Sequence, residues 1–399
     1  MKYKRSKLMK IMMIFILIPG LMAPLLCNDL PYFMSVGGEC YFPLLHPGGS
    51  VRLGKDTMPY RAIDFRTFNT DVKWMPPVVY DCNTLDDLSN SYRSPFEYQS
   101  LTDRERLNID LPLRYRHWLG TTRTGKDVLA CIVYGIRTSL IVGSISVLLA
   151  LTVGSVIGFI AGGFGNDRIK IQRGQILTFL TAIFIVCFDI ARIRSSGSAL
   201  PGMLAFCISL SFVFFFHQLI LKRFDFFRTK LKIPIDDILT TFSSGFIALP
   251  QLILILGIMA FTGPSYTGVI LCIGFTSWPM IARAVRIQSL KLRNETFIES
   301  ARAAGYSPFR IVWHHYLPNM KEALLVTALT GFSGAVLTEA GLTFLGIGLP
   351  AGIASWGSLM AEARSDMTAW WLVVFPGFML STLTYALYRY SESFSYEKD

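Results

Sequence analysis

Eight long apolar windows run through this chain, and they constrain its fold more than any other feature. They lie at about residues 8–27, 137–163, 174–191, 203–221, 238–261, 265–282, 322–345 and 369–388. A helix needs about 20 mostly apolar residues to cross a bilayer, where its backbone must satisfy its own hydrogen bonds. Hydrophobic residues make up 52% of the chain and the mean hydropathy is +0.44, too apolar for a typical soluble protein. The sequence therefore predicts an all-α polytopic membrane protein with about eight spans.

Lysine and arginine cluster in the segments that flank these windows. They are dense at 1–10, 222–232 and 283–321 and sparse at 262–264 and 346–368. Short loops rich in lysine and arginine stay in the cytoplasm, so we expect the first three segments inside and the other two outside. Eight spans with both chain ends inside fit these loops. The same arrangement explains the net charge of +11 without a nucleic-acid partner.

The first window has the basic start and the apolar run of a secretory signal. A cleavage or lipid-modification site before Cys27 would prefer a small side chain, whereas Leu26 occupies that place. We therefore predict that residues 1–27 form an uncleaved N-terminal transmembrane helix.

A long polar stretch, residues 28–136, follows and is rich in Pro, Asp, Asn and Arg. Long loops cross the membrane regardless of their charge, so we expect an extracytoplasmic region here. Cys40 and Cys82 both lie in it, and an oxidising compartment would allow a disulfide between them. Cysteine spacing alone does not establish that the two are close, so this pairing stays open.

A polar, basic insert at residues 299–319 lies between two apolar windows. Thr296 and Glu299 fit a capping box at a helix start, and Gly305 can end that helix in the left-handed conformation. The helix carries little bulk, since its side chains include Ser300, Ala301, Ala303 and Ala304. Another protein can therefore approach its backbone closely.

A second short helix should follow this turn. Ser307 fits an N-cap with Pro308 at the first helical position, and Pro318 should end the helix. The two helices together predict a docking element.

This segment resembles the EAA loop of permease subunits in ATP-binding-cassette (ABC) importers, whose pattern is Glu-Ala-Ala, three residues, Gly and a later Leu-Pro. The first Ala of the pattern is replaced here by serine, another small residue. The resemblance implies a coupling loop for a separate ATPase, through Glu299, Ser300, Ala301, Gly305, Leu317 and Pro318.

Four further stretches resemble the oligopeptide and dipeptide (peptide/nickel) branch of that family, and in particular its second, C-type permease subunit. They are HWLGTTRTGKD at His117–Asp127, YGIRTSL at Tyr134–Leu140, GLTFLGIG at Gly341–Gly348 and SWG at Ser355–Gly357. They stand in the family's order, and the resemblance covers roughly residues 115–163 and 235–385.

The resemblance implies a helical bundle like that of type I importer permeases, in the bacterial inner membrane. The implied partners are a second permease subunit, two ABC ATPase subunits, an extracytoplasmic substrate-binding protein and membrane lipid. ATP binding would drive alternating access, so this chain would be a transport subunit without catalytic residues or cofactors. Short peptides are the first expectation for the substrate, and nickel complexes or other small solutes are the alternative. The substrate-binding residues are left open.

The chain departs from the family after its second window. Usual members pass almost directly to a helix resembling Ile235 to Pro250, whereas two extra windows intervene here. Two extra spans preserve the orientation of the coupling loop, and one would invert it. The expected organisation is a helix at 1–27, an extracytoplasmic region at 28–136, a span at 137–163, an insert at 164–234, a core at 235–390 with its loop at 283–321, and a tail at 391–399.

Two motifs that suggest chemistry have simpler interpretations. Gly120–Asp127 superficially matches the phosphate-binding pattern Gly-x4-Gly-Lys-Ser/Thr, but Asp127 stands where a hydroxyl must contact magnesium, and no apolar strand precedes it. His314 and His315 are adjacent, so on a helix they diverge by about 100° and cannot easily share a metal. We therefore expect no nucleotide site and no metal site.

Small and ionisable residues stand out inside the windows. Glu339 lies near the outer end of one span, where we expect it to orient the following FLGIG turn by accepting backbone hydrogen bonds, with substrate contact as the alternative. Asp189 and His217 lie near apolar residues of the insert, and neither is assigned a role. Close helix packing is predicted for a set of small residues in the same span, with room for a pore as the alternative. They are Gly331, Ser333, Gly334, Ala335, Ala340 and Gly341.

Two other classes of function stay open. An ion-coupled secondary transporter needs no ATPase and should place carboxylates near the membrane midplane. A membrane-anchored receptor or structural protein would have its activity in residues 28–136. Co-isolation with an ATPase and a second permease separates the three.

Overall fold

The computed structural model describes residues 2–164, 170–172, 181, 215, 230–232 and 234–395, apart from gaps at 54–55, 67, 69, 86–90, 98, 103–107 and 111. Most of the described residues are helical. Short strands occur between the second and third helices, and we call residues 28–127 the strand-rich region. The windows predicted at 174–191 and 203–221 lie outside the described residues, as do Asp189 and His217.

The helices pack into a bundle around the third helix. The long helix α3 (Val128–Phe164) contacts α1 (Lys2–Leu21), α6 (Tyr266–Arg293) and α9 (Leu317–Phe344), and α11 (Trp371–Ser395) packs against α9. In the described part of the chain, four helices are long and apolar enough to cross a membrane. The bent pair α4 (Ile235–Ala248) and α5 (Gln251–Thr262) makes a fifth if it counts as one span. The protein is thus a multi-pass helical membrane protein. The other α-helices that the structure describes are α2 (Ala23–Leu26), α7 (Thr296–Ala303), α8 (Pro308–Ile311) and α10 (Trp356–Glu362).

The N-terminal helix α1 packs on the outside of this bundle, beside α3 and α11. Ile16 is buried in a cluster with Ile136 and Leu383. A Cβ on Gly20 would stand 2.3 Å from Cγ2 of Ile136, so the two helices approach closely here. The apolar part of α1, Ile11–Leu21, is shorter than a full span.

The window predicted at 238–261 is not one straight helix. α4 and α5 are bent by 82° at a short break between them. Pro250 has no N–H to donate and disfavours helical backbone in the residue before it, and Leu249 is indeed extended, with φ −83° and ψ 131°. The proline therefore accounts for the bend.

Two predicted boundaries also move. α3 begins at Val128, so the predicted end of the extracytoplasmic region at 136 and the predicted start of the span at 137 fall inside this helix. α6 continues to Arg293, beyond the window that ends at 282. Hydropathy locates the apolar part of a helix and does not locate its hydrogen-bonded ends.

Glycines allow α3 and α6 to pack with their backbones close together. A Cβ on Gly158 would lie 2.6 Å from the Ala282 carbonyl oxygen. Those on Gly154 and Gly162 would each lie 2.8 Å from a carbonyl oxygen of α6. A glycine every fourth residue thus forms one face of α3, as in other closely packed membrane helices.

The predicted packing stripe on α9 is only partly a packing surface. Ala335 and Ala340 are buried. A Cβ on Gly334 or Gly341 would meet nothing within 4 Å, so the prediction is wrong for these glycines. Small residues mark a possible close approach, and the arrangement of the helices decides which of them make one.

Short antiparallel strands occur in the region before α3, and the all-α prediction missed them. β1 (Phe33–Val36) pairs with β2 (Glu39–Tyr41) and β5 (Val72–Trp74) in a three-stranded sheet. β3 (Ser50–Leu53) pairs with β4 (Asp56–Pro59), and β6 (Ser100–Thr102) pairs with β7 (Asn108–Asp110). Met34, Val51, Tyr60 and Phe65 belong to a buried apolar cluster under these strands.

Cys40 and Cys82 are both free thiols in this structure, as is Cys131. The pairing of Cys40 with Cys82 stays a prediction. Cys40 is exposed on β2, whereas Cys82 is buried in an apolar cluster that includes Cys131 of α3. The two cysteines therefore lie in different surroundings.

The two described ends of the insert meet in an antiparallel strand pair. In β8 (Lys170–Gln172) and β9 (Lys230–Lys232), Lys170 stands opposite Lys232. At the start of α4, Asp236 forms an ion pair with Arg286 of α6. The insert thus leaves and returns at one place, next to the end of α3 and the start of α4.

Candidate functional site

The predicted docking segment lies between α6 and α9, and its first helix is α7. Glu295 precedes α7 with extended backbone and makes no side-chain cap. The predicted capping box is wrong, because Thr296 is already helical and its carbonyl accepts a 2.9 Å hydrogen bond from the Ser300 hydroxyl. A helix was correctly predicted, but its first turn is held differently.

Gly305 ends this helix as predicted. Its φ is +78°, in the left-handed region that favours glycine. The Tyr306 N–H donates to the Ala301 carbonyl at 3.1 Å, and the Gly305 N–H donates to the Arg302 carbonyl at 2.9 Å. These bonds satisfy carbonyl groups at the helix end. A Cβ on Gly305 would meet nothing within 4 Å, so the need for glycine is conformational.

The second short helix, α8, begins as predicted but is not ended by Pro318. Ser307 caps α8, since its hydroxyl oxygen accepts from the Arg310 N–H at 3.3 Å. A π-helical turn, Val312–Tyr316, follows α8 and leads directly into α9. Proline crowds the carbonyl four residues before it and has no N–H, and the wide turn lets the helix continue through Pro318.

The loop helix α7 has one buried face and one exposed face. Ile298 and Ala301 are buried in a cluster with Ile311 and Tyr316. The predicted coupling residues therefore differ in burial. Ala301 is buried and Leu317 is half-buried, whereas the other four are exposed: Glu299, Ser300, Gly305 and Pro318. The buried alanine fixes the position of the helix, and the exposed residues are available to a partner.

Arg302 ties α7 to its neighbours, a role that we did not predict. Its guanidinium donates to the Arg293 carbonyl at 3.4 Å and to the Tyr316 hydroxyl at 3.3 Å. These bonds connect α7 to the end of α6 and to the π-helical turn. The signal in the sequence was that Arg302 is the one basic residue of this helix.

Two exposed aromatic side chains extend the exposed side of the loop. Phe309 and Trp313 are 77% and 61% exposed, and their ring planes are 11° apart. The Arg310 guanidinium lies 4.3 Å from the centre of the Tyr306 ring. Large apolar side chains exposed beside a polar loop are typical of a contact surface. We call the exposed set the docking face: Glu299, Ser300, Ala303, Ala304, Phe309 and Trp313.

A groove of about 510 Å³ opens between α6 and α9 beside the loop. Its lining is about half polar and half apolar, and it includes both signs of charge. The groove therefore offers polar and charged partners beside apolar surface. Polar and charged residues in its lining are Gln288, Lys291, Asn319, Glu322 and Thr327.

Glu339 is fully buried in α9 and joins three parts of the bundle. Its carboxylate accepts from the Thr343 hydroxyl at 3.0 Å and from the Ser139 hydroxyl of α3 at 3.4 Å. The Thr343 oxygen in turn accepts from the Leu349 N–H at 3.3 Å. Glu339 therefore reaches the turn after α9 through Thr343, whereas direct backbone bonds were expected.

The stretch from His117 to Asp127 forms the turn that leads into α3. One Asp127 carboxylate oxygen accepts from the Ala130 N–H at 2.7 Å, and the other lies 3.0 Å from Nδ1 of His117. The Tyr80 ring stacks on the His117 ring at 4.1 Å. Asp127 thus anchors the start of α3, as expected for a structural segment. The described residues contain no group of three or more His, Cys, Asp and Glu side chains that could hold a metal.

These features define a class of protein. The chain is a multi-pass helical membrane protein, and at one end of its bundle a loop carries a short helix with one buried face and one exposed face.

Comparison with known proteins shows similarity to one group of transport proteins. Residues 227–394 match the family described as "Binding-protein-dependent transport system inner membrane component". The dipeptide transport system permease protein DppC of Alkalihalophilus pseudofirmus is 31% identical over 265 residues, 66% of this chain and 65% of that protein. A peptide transport system permease of Brucella suis is 40% identical over 153 residues, 38% of this chain and 52% of that protein. The chain is therefore similar to dipeptide and peptide permeases.

Other relatives extend the comparison. The glutathione transport system permease protein GsiD of Pectobacterium atrosepticum is 26% identical over 288 residues, 71% of this chain and 72% of that protein. The chain spans just under two thirds of the DppC relative and about half of the Brucella relative. A structure of the MetNI methionine ABC transporter aligns with a TM-score of 0.32 and 16% identity, over 62% of this chain and 95% of that chain. This TM-score is too low to establish a common fold, so the similarity to these proteins rests on sequence.

Proposed function

We propose that this chain is a permease subunit of an ABC importer, driven by ATPase subunits that bind its docking face. The observation that carries the proposal is the way in which α7 is held. Ile298 and Ala301 are buried and Arg302 is bonded to its neighbours, while Glu299 and Ser300 remain exposed. A partner that pushes on the exposed side moves α6 and α9 as well, because the buried side is packed on them.

In this proposal the chain converts motion and performs no chemistry. ATP must favour one conformation of the transporter over the other, or nothing is driven. That preference crosses between subunits at residues 299–305. A second permease subunit, two ABC ATPase subunits and an extracytoplasmic substrate-binding protein complete the transporter, in the bacterial inner membrane.

The proposed topology has eight spans with both chain ends in the cytoplasm. The antiparallel pair β8–β9 supports it, because an insert whose ends meet on one side crosses the membrane an even number of times. The strand-rich region and α10 then lie outside, and the docking face lies inside. The proposed parts are the helix at 1–27, the outer region at 28–127, α3, the insert at 165–234, the core at 235–390 and the tail at 391–399.

Short peptides are the proposed substrates. The relatives described above are named for dipeptide, peptide and glutathione transport. The groove beside the loop includes Lys291 and Glu322, which supply both signs of charge. A peptide carries a carboxylate and an ammonium group, so both signs suit it.

Purification in mild detergent tests this function. The tagged chain, co-expressed with its neighbouring transport genes, should co-isolate with an ATPase and a second permease. Uptake of a labelled dipeptide into proteoliposomes should then require ATP. Uptake without any ATPase that an ionophore abolishes would establish the ion-coupled alternative instead.

A matched pair of variants tests the docking face. Phe309→Ala combined with Trp313→Ala should lower the recovery of the ATPase by about tenfold or more, since buried aromatic residues carry much of the binding energy at interfaces. Phe261→Ala removes another aromatic side chain, 94% exposed, at the opposite end of the bundle, and should leave recovery unchanged. Equal recovery with both variants would contradict the proposed docking face.

A further inference from the structure

Cysteine side chains meet where the N-terminal helices, the strand-rich region and α3 come together. Cys131 lies in the first turn of α3, and its thiol sulfur is 3.6 Å from the Cys82 carbonyl oxygen. Both side chains are buried in the same apolar cluster, beside Trp371 and Leu372 of α11. Both are free thiols in this structure. We propose that, in an oxidising compartment, Cys82 and Cys131 form a disulfide that clamps the strand-rich region onto the outer end of α3.

The surroundings of the other described cysteines favour this pair. Cys27 is buried with Tyr80 and Ala130, and its backbone carbonyl accepts from the Tyr134 hydroxyl at 3.2 Å. Side chains at 130 and 131 of a helix point about 100° apart, so Cys27 approaches a different side of α3. Cys40 is exposed on β2. Cys272 is buried in a separate cluster in the middle of the bundle.

The proposed disulfide would be a second attachment at the start of α3, beside the one that Asp127 already makes. Asp127 already holds the first turn of α3 through the Ala130 N–H and contacts His117. A bond from Cys131 to Cys82 adds a covalent link to a segment 49 residues earlier in the chain. The strand-rich region then moves with α3 as one body.

The oxidation is balanced by a partner disulfide. Each thiol loses one hydrogen, and the two protons and two electrons pass to the disulfide of an extracytoplasmic thiol oxidoreductase, which is released as a dithiol. The attacking species is a thiolate, and burial raises the pKa of Cys82 to about 12. The folded protein therefore holds very little thiolate. The bond forms while the region is still folding, and once formed it is shielded from reductants.

Mass spectrometry of the full-length protein tests this clamp. Membranes are denatured in acid without reductant, free thiols are blocked with N-ethylmaleimide, and the digest is searched for linked peptides. The expected result is a link between Cys82 and Cys131, with Cys27 and Cys40 alkylated. Free thiols at Cys82 and Cys131, or a link from either one to another cysteine, would overturn the proposal.

Two variants sharpen this result. Cys131→Ser should make Cys82 fully reactive with N-ethylmaleimide after denaturation. Cys27→Ser should leave the link intact. Loss of the link in Cys27→Ser would overturn the pairing. If Cys131→Ser does not accumulate, the unmodified protein still decides the question.

The proposal rests on one part of the proposed function, the outside location of the strand-rich region. A membrane-impermeant maleimide on spheroplasts tests that location through the exposed Cys40. Labelling only after lysis would refute the location, and the clamp with it. Labelling on spheroplasts together with unlinked Cys82 and Cys131 would overturn the clamp alone and leave the transport function standing.

Discussion

At the scale of single residues, Gly305 carries the clearest requirement. Its φ of +78° places the turn between α7 and α8 in the left-handed region, and the space around its Cα is open. The backbone and not the lack of room therefore selects glycine. This distinction decides which substitutions the docking loop tolerates.

Gly305→Val should abolish ATP-coupled uptake while leaving membrane insertion intact. A branched side chain costs about 1–2 kcal/mol in left-handed backbone, and the turn relieves this strain by shifting α7. Gly305→Asn is the matched control, because asparagine tolerates this conformation and should retain most uptake. Labelled-dipeptide uptake and immunoblots of membrane fractions provide the measurements. Normal uptake by the valine variant would contradict the assigned role of α7.

Glu362 should give the protein a pH-dependent stability. Its carboxylate accepts from the Arg123 N–H at 3.4 Å, and burial raises the pKa of this carboxyl. The pKa in the folded state lies above the unfolded value of about 4.3, so folding takes up a proton. The contribution of this group to stability is therefore present below about pH 4.3 and is lost as pH rises through the raised pKa.

Glu362→Gln should remove this contribution, so Tm in detergent should fall less between about pH 4 and pH 6 than it does in the unmodified protein. Asp366→Asn is a control of opposite sign. Hydrogen bonds from Thr368 lower the pKa of Asp366, and its contribution is lost as pH falls. If Tm changes with pH in Glu362→Gln as it does in the unmodified protein, burial does not raise the pKa of Glu362 and the prediction is wrong.

At the scale of elements, the contact between α3 and α6 depends on glycines at every fourth position. A Cβ on Gly158 would stand 2.6 Å from the Ala282 carbonyl oxygen, and backbone has little freedom to move away. Gly163, at the end of the same helix, would meet nothing within 4 Å. The same substitution can therefore be compared at Gly158, where the neighbouring helix occupies the space, and at Gly163, where the space is open.

Gly158→Leu should destabilise the bundle, and Gly163→Leu should not. Overpacking a close contact costs about 1–3 kcal/mol, because the helices must separate. Thermal unfolding of the two variants in detergent, followed by size-exclusion chromatography, measures the difference. Equal Tm values for both variants would mean that α3 and α6 do not approach as described.

The prolines show how far an element can be predicted from local signals. Pro250 separates α4 from α5, whereas Pro318 is the second residue of α9, which continues directly from the π-helical turn. Both prolines lack an N–H donor and crowd the preceding turn, yet only Pro250 breaks a helix. The difference lies in the π-helical turn at Val312–Tyr316, which packs Tyr316 into the cluster under α7. A local signal at proline is therefore insufficient without the packing around it.

At the scale of the whole molecule, the proposed topology places the two ends of α9 on opposite sides of the membrane. In a background without native cysteines, Glu299→Cys should react with a maleimide only after lysis. Met367→Cys, at a site that is 91% exposed, should react on intact spheroplasts. Cysteines at Gln172 and Lys230, in the paired strands β8 and β9, should behave like the one at 299, since an even number of crossings separates them. Reaction of 299 and 367 from the same side would contradict the eight-span topology.

The sequence by itself determined that the chain is a multi-pass helical membrane protein, where the polar loop between α6 and α9 lies, and the similarity to peptide permeases. Hydropathy, positive charge and linear motifs depend on residues close together in the chain, so they can be recognised without the fold. The tertiary structure alone decided which glycines pack, that Ala301 is buried while Ser300 is exposed, and that Cys82 lies beside Cys131 while Cys40 is exposed on β2. These outcomes depend on which helix faces meet. That is settled by contacts between residues far apart in the chain, and no local pattern encodes it.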